Sequence, residues 1–227
     1  MSKKISLIFL LVLASAAVMG QTVDKKAYER YINPELYGQM LDGTYWQGKK
    51  KITAKIKYVP PVEYQDPAVP LVIDKGDGEE TLPKSKINAF EVNGRTIVPE
   101  DLGDSVVWVM LVNEGAIRET ILFTPVPRQA PEYYKINHLV TNTLTHQGYF
   151  VGSLAINFHK SMAALTADYA ELSQKIANRE KGYRFIDYKR IIAEYNKWFQ
   201  EQYPKRIKYI HGTPDFEAII EAETNRF

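Results

Sequence analysis

The spacing of the hydrophobic residues changes along this chain, and the change limits the folds that the sequence can adopt. From residue 44 to residue 123 apolar and polar side chains alternate, as in the stretch from Ile52 to Tyr58. Side chains that alternate in this way lie on opposite faces of a strand. From Phe158 onwards the apolar residues recur every three or four positions, which places them on one side of a helix. The sequence therefore predicts an α+β fold in which strands precede helices.

Turn signals divide the first part into about six strands of an antiparallel β-meander. Pro60-Pro61 ends one strand, because proline lacks the backbone donor that a ladder needs. Asn93-Gly94 lies between two alternating segments and predicts a type I′ hairpin turn. The run from Val106 to Val112 is apolar throughout, which predicts a central strand covered on both faces. A short helix from Asn33 to Leu41 is predicted before the sheet.

Two helices are predicted in the second part. The apolar stripe of the first has the spacing 4-3-4-3-4 and consists of Phe158, Met162, Leu165, Tyr169, Leu172 and Ile176. Asp168 can also cap a separate helix, so a break at Thr166 to Asp168 stays open. Gly182 ends this element, and Asp187 begins a helix that runs to Pro204. A short connection makes the two helices antiparallel, and we expect this helical hairpin to pack on the sheet.

These elements predict one folded domain with additional segments at both ends. The predicted divisions are a signal peptide at 1–20, a segment with the short helix at 21–43, the sheet half at 44–125, the helical half at 126–204 and a tail at 205–227. Part of the tail is expected to be ordered through Phe216, Ile219 and Ile220.

The first twenty residues predict where the protein works. Lys3 and Lys4 precede an apolar run from Ile5 to Val18, and Met19-Gly20 stand before Gln21. This order is typical of a secretory signal peptide, and the run is shorter than the roughly 20 residues that span a bilayer. Cleavage near Gly20/Gln21 predicts a periplasmic or secreted protein. No transmembrane segment is predicted in the mature chain.

The same segment explains the net charge of +2. The chain has 29 Lys and Arg against 27 Asp and Glu, and Lys3 and Lys4 supply the difference. The charge therefore supports export and does not indicate a nucleic-acid partner. The chain has no cysteine, so the part that follows the predicted signal peptide must form a core without disulfides.

Catalytic motifs are mostly absent, and no cofactor is predicted. The sequence has no G-x-S-x-G and no glycine-rich phosphate loop. The four histidines lack the short spacing of metal ligands on one element, so no metal site is predicted from them. Asp74, Asp77 and Glu79 can bind calcium weakly, but their spacing favours a solvated acidic turn.

A periplasmic hydrolase is the alternative function that the sequence leaves open. Its site would be assembled in three dimensions from a histidine and a carboxylate. The candidates are His138, His146 and His159 with Glu100 and Asp101.

The candidate binding surface combines lysine and tyrosine. A basic stripe on one strand consists of Lys49, Lys50, Lys51, Lys55 and Lys57. Such a stripe can bind an anionic polymer, or it can keep an edge strand from pairing with another molecule. The chain also has 15 tyrosines, whose apolar body and polar tip suit interfaces and sugar-binding surfaces. The predicted surface residues are Lys49, Lys51, Lys55, Lys57, Tyr133 and Tyr134.

Several stretches resemble a known group of proteins. In the first half these are Gly43 to Tyr58, Lys86 to Val92 and Trp108 to Gly115. In the second half they are Asn157-Phe158-His159-Lys160, Ala170-Glu171-Leu172 and Glu194-Tyr195-Asn196. They resemble exported proteins of Bacteroides-like Gram-negative bacteria that have no assigned activity. The resemblance covers most of residues 43–200 and implies localisation more than function.

Export, the missing catalytic motifs and the tyrosine content together favour a non-enzymatic binding protein. We expect its partner to be an envelope protein or a glycan.

Overall fold

The computed structural model describes residues 31–102, 105–126 and 134–226. The predicted signal peptide, its cleavage site near Gly20/Gln21 and Tyr133 lie outside these residues. All elements below belong to one compact unit, Asn33–Phe227. Among the described residues, no helix is both long enough and apolar enough to cross a membrane.

Within the described residues, ten strands form one antiparallel sheet. They are β1 (Met40–Gln47), β2 (Lys50–Lys57), β3 (Leu71–Asp74), β4 (Glu79–Leu82), β5 (Ala89–Val92), β6 (Arg95–Asp101), β7 (Val106–Asn113), β8 (Ile117–Pro125), β9 (Tyr134–Asn142) and β10 (Gln147–Phe150). Their order across the sheet is β10-β9-β8-β7-β6-β5-β1-β2-β3-β4. The α+β class is confirmed, whereas the predicted number of about six strands is too low.

The strands that were not predicted lack the alternation of apolar and polar residues that marks a half-buried strand. β4 is an exposed edge strand with polar residues, so it has no buried face to mark it. In β9, two inward positions carry the polar residues His138 and Asn142. Both are paired inside the protein, since His138 bonds Glu119 and Asn142 donates to the Leu165 carbonyl. The sheet continues to Phe150. The helices therefore begin later in the chain than the predicted start of the helical half at residue 126.

The predicted hairpin between β5 and β6 is confirmed. Asn93 and Gly94 have φ values of 52° and 67°, the left-handed conformation that a type I′ turn needs at both positions. The central position of β7 is also confirmed around Trp108 and Val109, which pack on opposite faces of the sheet. Val106, at the start of β7, is exposed.

Six α-helices lie in the part of the chain that the structure describes. They are α1 (Pro61–Gln65), α2 (Val151–Ile156), α3 (Phe158–Leu165), α4 (Ala170–Ala177), α5 (Tyr188–Gln202) and α6 (Phe216–Thr224). The break left open at Thr166 to Asp168 is present, and it separates α3 from α4. Asp168 does not cap α4, because its carboxylate accepts the Tyr195 hydroxyl at 2.8 and 2.9 Å.

One end of the compact unit differs from the prediction, and the other agrees with it. The predicted helix from Asn33 to Leu41 is only a 3-10 turn at Pro34–Leu36, since β1 already begins at Met40. The tail is ordered, as predicted, in α6. Asp215 caps this helix through the Ala218 amide, and Phe216 is buried.

The two faces of the sheet are named by their central residues. Face A carries Trp46, Ala89, Val98 and Val109, and face B carries Tyr45, Phe90, Ile97 and Trp108. On face B, Ile117 and Val140 form one buried cluster with the helices, and Tyr64 of α1 packs with Phe90 in another. On face A, Ile210 packs against the central apolar residues. The candidate sites described below are formed by polar side chains on these two faces of the sheet.

Lys84 fastens the connection between β4 and β5 to helix α1. Its buried ammonium donates to the carbonyls of Glu63, Tyr64 and Asp66 at 2.7 to 2.9 Å. These carbonyls lie at the end of a helix, where no intrahelical donor reaches them. Burial lowers the pKa of Lys84 to about 8, although the charges of Asp66 and Glu63 oppose the shift.

We therefore expect the free energy of unfolding at alkaline pH to depend on whether the Lys84 side chain is protonated. Between pH 8 and 10 the unfolded chain keeps the proton that the folded chain loses, so the wild type gains stability relative to Lys84→Met. The expected gain is about 1 to 2 kcal/mol, measured by urea unfolding of both proteins. A difference that stays constant over this pH range contradicts the assignment.

Candidate functional site

The three candidate histidines lie in different surroundings. His159 lies 2.9 Å from the Ile176 carbonyl and joins α3 to α4. His146 lies 3.7 Å from Asp101, and both side chains are about half exposed. His138 contacts Glu119, a carboxylate that was not among the sequence candidates.

Glu119 lies at the centre of a buried hydrogen-bonded cluster on face B. Its Oε1 lies 3.0 Å from His138 Nδ1 and accepts the Tyr188 hydroxyl at 3.0 Å. Its Oε2 accepts the Asn113 side-chain amide at 2.8 Å. The side chain of Glu119 is fully buried, whereas that of His138 is 30% exposed. The cluster joins β7, β8 and β9 to α5.

A β-bulge brings one of these donors into place. The pairing of β7 with β8 shifts between Leu111 and Asn113, so that Asn113 lies opposite Glu119. One extra residue in a strand reverses the face on which the following side chains lie. Asn113 therefore points to face B, where it reaches the carboxylate.

Hydrogen bonding determines the charge of Glu119. Burial by itself raises the pKa of the carboxyl, but the His138 hydrogen bond, the charge of Lys189 and the Tyr188 hydroxyl outweigh it. The net result is a lowered pKa, so Glu119 is ionised at neutral pH. Burial, together with the contact with Glu119, raises the pKa of Tyr188, which keeps its hydroxyl proton.

A cavity of about 170 Å³ lies next to this cluster. Asn113 and Lys189 line it together with Asn196 of α5 and Phe216 of α6. A carboxylate that orients a histidine can support proton transfer, and it can equally fasten a helix to a sheet. Three donors from the sheet and α5 occupy both carboxylate oxygens of Glu119. This geometry favours a structural role in which the cluster holds α5 against the sheet.

A second polar cluster lies on face A and is here called the Arg118 cluster. It consists of Glu100, Arg118, Thr120 and Thr141. Arg118 Nη1 lies 3.4 Å from Glu100 Oε2, and Arg118 is opposite Thr141 on the neighbouring strand. Both threonines and Glu100 are almost completely buried. Burial raises the pKa of Glu100, and the charge of Arg118 offsets part of that shift.

Two polar atoms of the Arg118 cluster, Arg118 Nε and Thr120 Oγ1, have no hydrogen-bond partner among the described residues. The Thr141 hydroxyl lies beside Glu100 and lowers the pKa of its carboxyl. Buried polar atoms are rarely left unpaired, because each costs about 1 to 3 kcal/mol.

The predicted lysine stripe also lies on face A. Lys51 pairs with Trp46, and its ammonium lies 5.5 Å from the centre of the Trp46 ring. Lys55 is exposed on the same face, and Lys57 lies 3.7 Å from Glu79. Lys49 is exposed in the turn between β1 and β2. Lys50 alternates with Lys51 and so lies on the other face.

The structure separates the predicted tyrosines from these lysines. Tyr134 is only 2% exposed, so its side chain is buried instead of forming part of a surface. Tyr133 is outside the described residues. Among the described residues, no group of three or more His, Asp or Glu side chains is arranged to hold a metal ion.

The sequence contains one feature that could have identified Glu119 as a buried, paired carboxylate. Glu119 interrupts the apolar alternation of Ile117, Ile121 and Phe123, and a charge on a buried strand face needs partners. Arg118 and Thr120 gave no such signal, because polar residues on the opposite side of a strand are ordinary.

Comparison of the chain with protein-family models, curated proteins and solved structures finds no match in any of the three. Function must therefore be argued from the sites themselves.

Proposed function

We propose that the chain is an exported, non-enzymatic binding protein that takes an acidic glycan on face A. Export rests on the predicted signal peptide, and a glycan is one of the two partners that the sequence favours. The observation that carries the proposal is the exposure of Lys49, Lys51 and Lys55 on or beside one face of β2. We call these three residues the lysine surface.

Two residues of the lysine surface lie away from acidic side chains. Lys57 is paired with Glu79, and Lys55 lies opposite Asp42 and Asp74 in the register. Lys49 and Lys51 lie at the other end of β2, away from these acids. Two neighbouring exposed cations attract a polyanion because each contributes about 1 kcal/mol near an anionic surface.

The competing explanation is protection of the sheet edge. β3 pairs only with Lys55 and Ile56 of β2, so in the described sheet the first half of β2 lies at an edge. Lysines at such an edge prevent pairing with a second molecule. This explanation predicts no affinity for a polyanion beyond that of any other lysine pair on the surface.

Chromatography on immobilised heparin distinguishes the two explanations. We expect the wild-type chain to be retained, and Lys49→Glu/Lys51→Glu to lose affinity by more than about tenfold. The matched control is Lys160→Glu/Lys181→Glu, which changes the net charge equally at two exposed lysines of the helical part of the chain. The control should elute close to the wild type. Equal losses in both variants, or no retention of the wild type at low salt, contradict the proposal.

A hydrolase is the second candidate, and one observation favours it. The Glu119 carboxylate lies within hydrogen-bonding distance of His138, and Asn113, which donates to the same carboxylate, lines a cavity. In this case His138→Gln would abolish hydrolysis of a chromogenic ester or glycoside while preserving the fold. Absence of hydrolysis by the wild type over a panel of such substrates excludes this candidate for those bonds.

A further inference from the structure

The cavity beside the Glu119 cluster has an apolar part that the proposed function does not use. Its apolar lining includes Ile192 and Ala193 of α5 and Phe216 and Ile219 of α6. Ile219 is only partly buried, and the cavity is open to solvent. Its volume is about 170 Å³. Because an engineered cavity of roughly 150 Å³ binds benzene, a ligand with an apolar group of about four carbons fits here.

Two side chains of opposite charge line the same cavity. They are Glu114, which follows β7, and Lys189 in the first turn of α5. Within the described residues, neither Glu114 nor any other carboxylate lies within 4.0 Å of the Lys189 ammonium. The charge of Lys189 acts on Glu119, but hydrogen bonds from three other side chains occupy the oxygens of Glu119. The three donor hydrogens of Lys189 thus lack an acceptor in the part of the chain that the structure describes.

The Glu114 carboxylate has few hydrogen-bond donors for a buried group. Glu114 is 9% exposed, and both of its oxygens accept the Ile210 amide, at 3.1 and 3.0 Å. The backbone amide of His211 lies nearby. An ionised carboxylate has about four acceptor sites. A cationic group in the cavity would use the sites that remain and would offset the cost of burying the charge.

The two charges and the apolar lining together define one class of ligand. A simple acid pairs only with Lys189, and a simple amine pairs only with Glu114. A zwitterion pairs with both and adds no net charge to a half-buried site. We propose that this cavity binds a free apolar α-amino acid, with its carboxylate on Lys189, its ammonium on Glu114 and its side chain against the apolar lining. The site shares no residue with the lysine surface, so its ligand is additional to the proposed glycan.

Calorimetric titration of the protein with L-leucine tests the site. We expect a Kd of about 1 mM or lower. Three matched compounds each lack one part of the ligand, since 4-methylpentanoate has no ammonium, 3-methylbutylamine has no carboxylate and glycine has no apolar side chain. Each should bind at least about tenfold more weakly than leucine, because each loses a charge-assisted contact or the burial of the side chain.

Variants of the lining locate the binding. Lys189→Met should weaken leucine binding about tenfold or more, whereas Lys160→Met, at an exposed lysine of α3 outside the cavity lining, should leave it unchanged. Glu114→Gln keeps an oxygen that accepts the Ile210 amide and should weaken binding to a similar extent. Ala193→Leu keeps both charges but fills the cavity, and it should abolish binding. Because Lys189 is partly exposed, Lys189→Met tests the site even where a buried substitution disturbs folding.

Three results overturn the proposal. They are no binding of leucine by the wild type up to about 10 mM, equal binding of any of the three matched compounds, and unchanged leucine binding in either Lys189→Met or Glu114→Gln.

Discussion

Glu119→Ala is expected to lower the free energy of unfolding by about 3 to 5 kcal/mol at pH 7. The variant leaves His138, Tyr188 and Asn113 without their shared acceptor inside the protein. These donors come from two strands and one helix, so their loss weakens the contact between β8, β9 and α5. Urea unfolding measures the effect.

A surface carboxylate provides the control for this substitution. Glu171 is exposed and forms an ion pair with Lys175 one helical turn away. Because such exposed pairs are weak, Glu171→Ala should cost less than about 1 kcal/mol. A loss below 1 kcal/mol for Glu119→Ala as well would show that the cluster does not fasten the sheet to the helix.

The pH dependence of this effect follows from the lowered pKa of Glu119. Stability from a carboxylate with a lowered pKa is complete above the pKa of the unfolded chain, about 4.3, and is lost as the pH falls through the folded-state pKa. The advantage of the wild type over Glu119→Gln should therefore shrink on acidification below pH 5. An advantage that is constant down to the acid transition contradicts an ionised Glu119.

Gly115→Ala is expected to lower the free energy of unfolding by about 2 to 4 kcal/mol. Gly115 precedes β8, and a Cβ there would lie 2.1 Å from Asn196 Nδ2. The Asn196 side chain bonds both the amide and the carbonyl of Ile117 at 2.8 Å. An added methyl group must displace it and leave both backbone groups unpaired.

A double-mutant cycle tests this explanation. Asn196→Ala alone should also cost about 2 to 4 kcal/mol, and the double variant should be no less stable than Asn196→Ala. The expected coupling energy is about 2 kcal/mol or more. The control is Gly152→Ala, because a Cβ at this helical glycine meets nothing within 4 Å and should be neutral or stabilising. Additive losses at Gly115 and Asn196 contradict the proposed contact.

The features that were predictable from sequence depend on local physics. Asn93-Gly94 determines its own turn through backbone conformation, and the stripe from Phe158 to Ile176 determines one side of two helices. The break at Thr166 to Asp168 was predicted as an alternative because Asp168 can cap a second helix, but in the structure its carboxylate bonds Tyr195 instead. These signals involve residues close together in the chain.

The features that were missed depend on contacts between distant residues. His138 and Asn142 hide the alternation of β9 because their partners come from β8 and α3. The position of Asn113 depends on a bulge that no residue type announces. Arg118 meets Glu100 across an intervening strand, so spacing in sequence gives no indication of the pair.

Chemical-shift mapping with a heparin-derived oligosaccharide tests the role of face A most directly. In ¹H–¹⁵N spectra at low salt, we predict the largest shifts for the backbone amides of residues 46–55, around the lysine surface. Lys49→Glu/Lys51→Glu should abolish these shifts. Shifts centred on helices α2 to α5, or no shifts at saturating oligosaccharide, would contradict a glycan-binding role for face A.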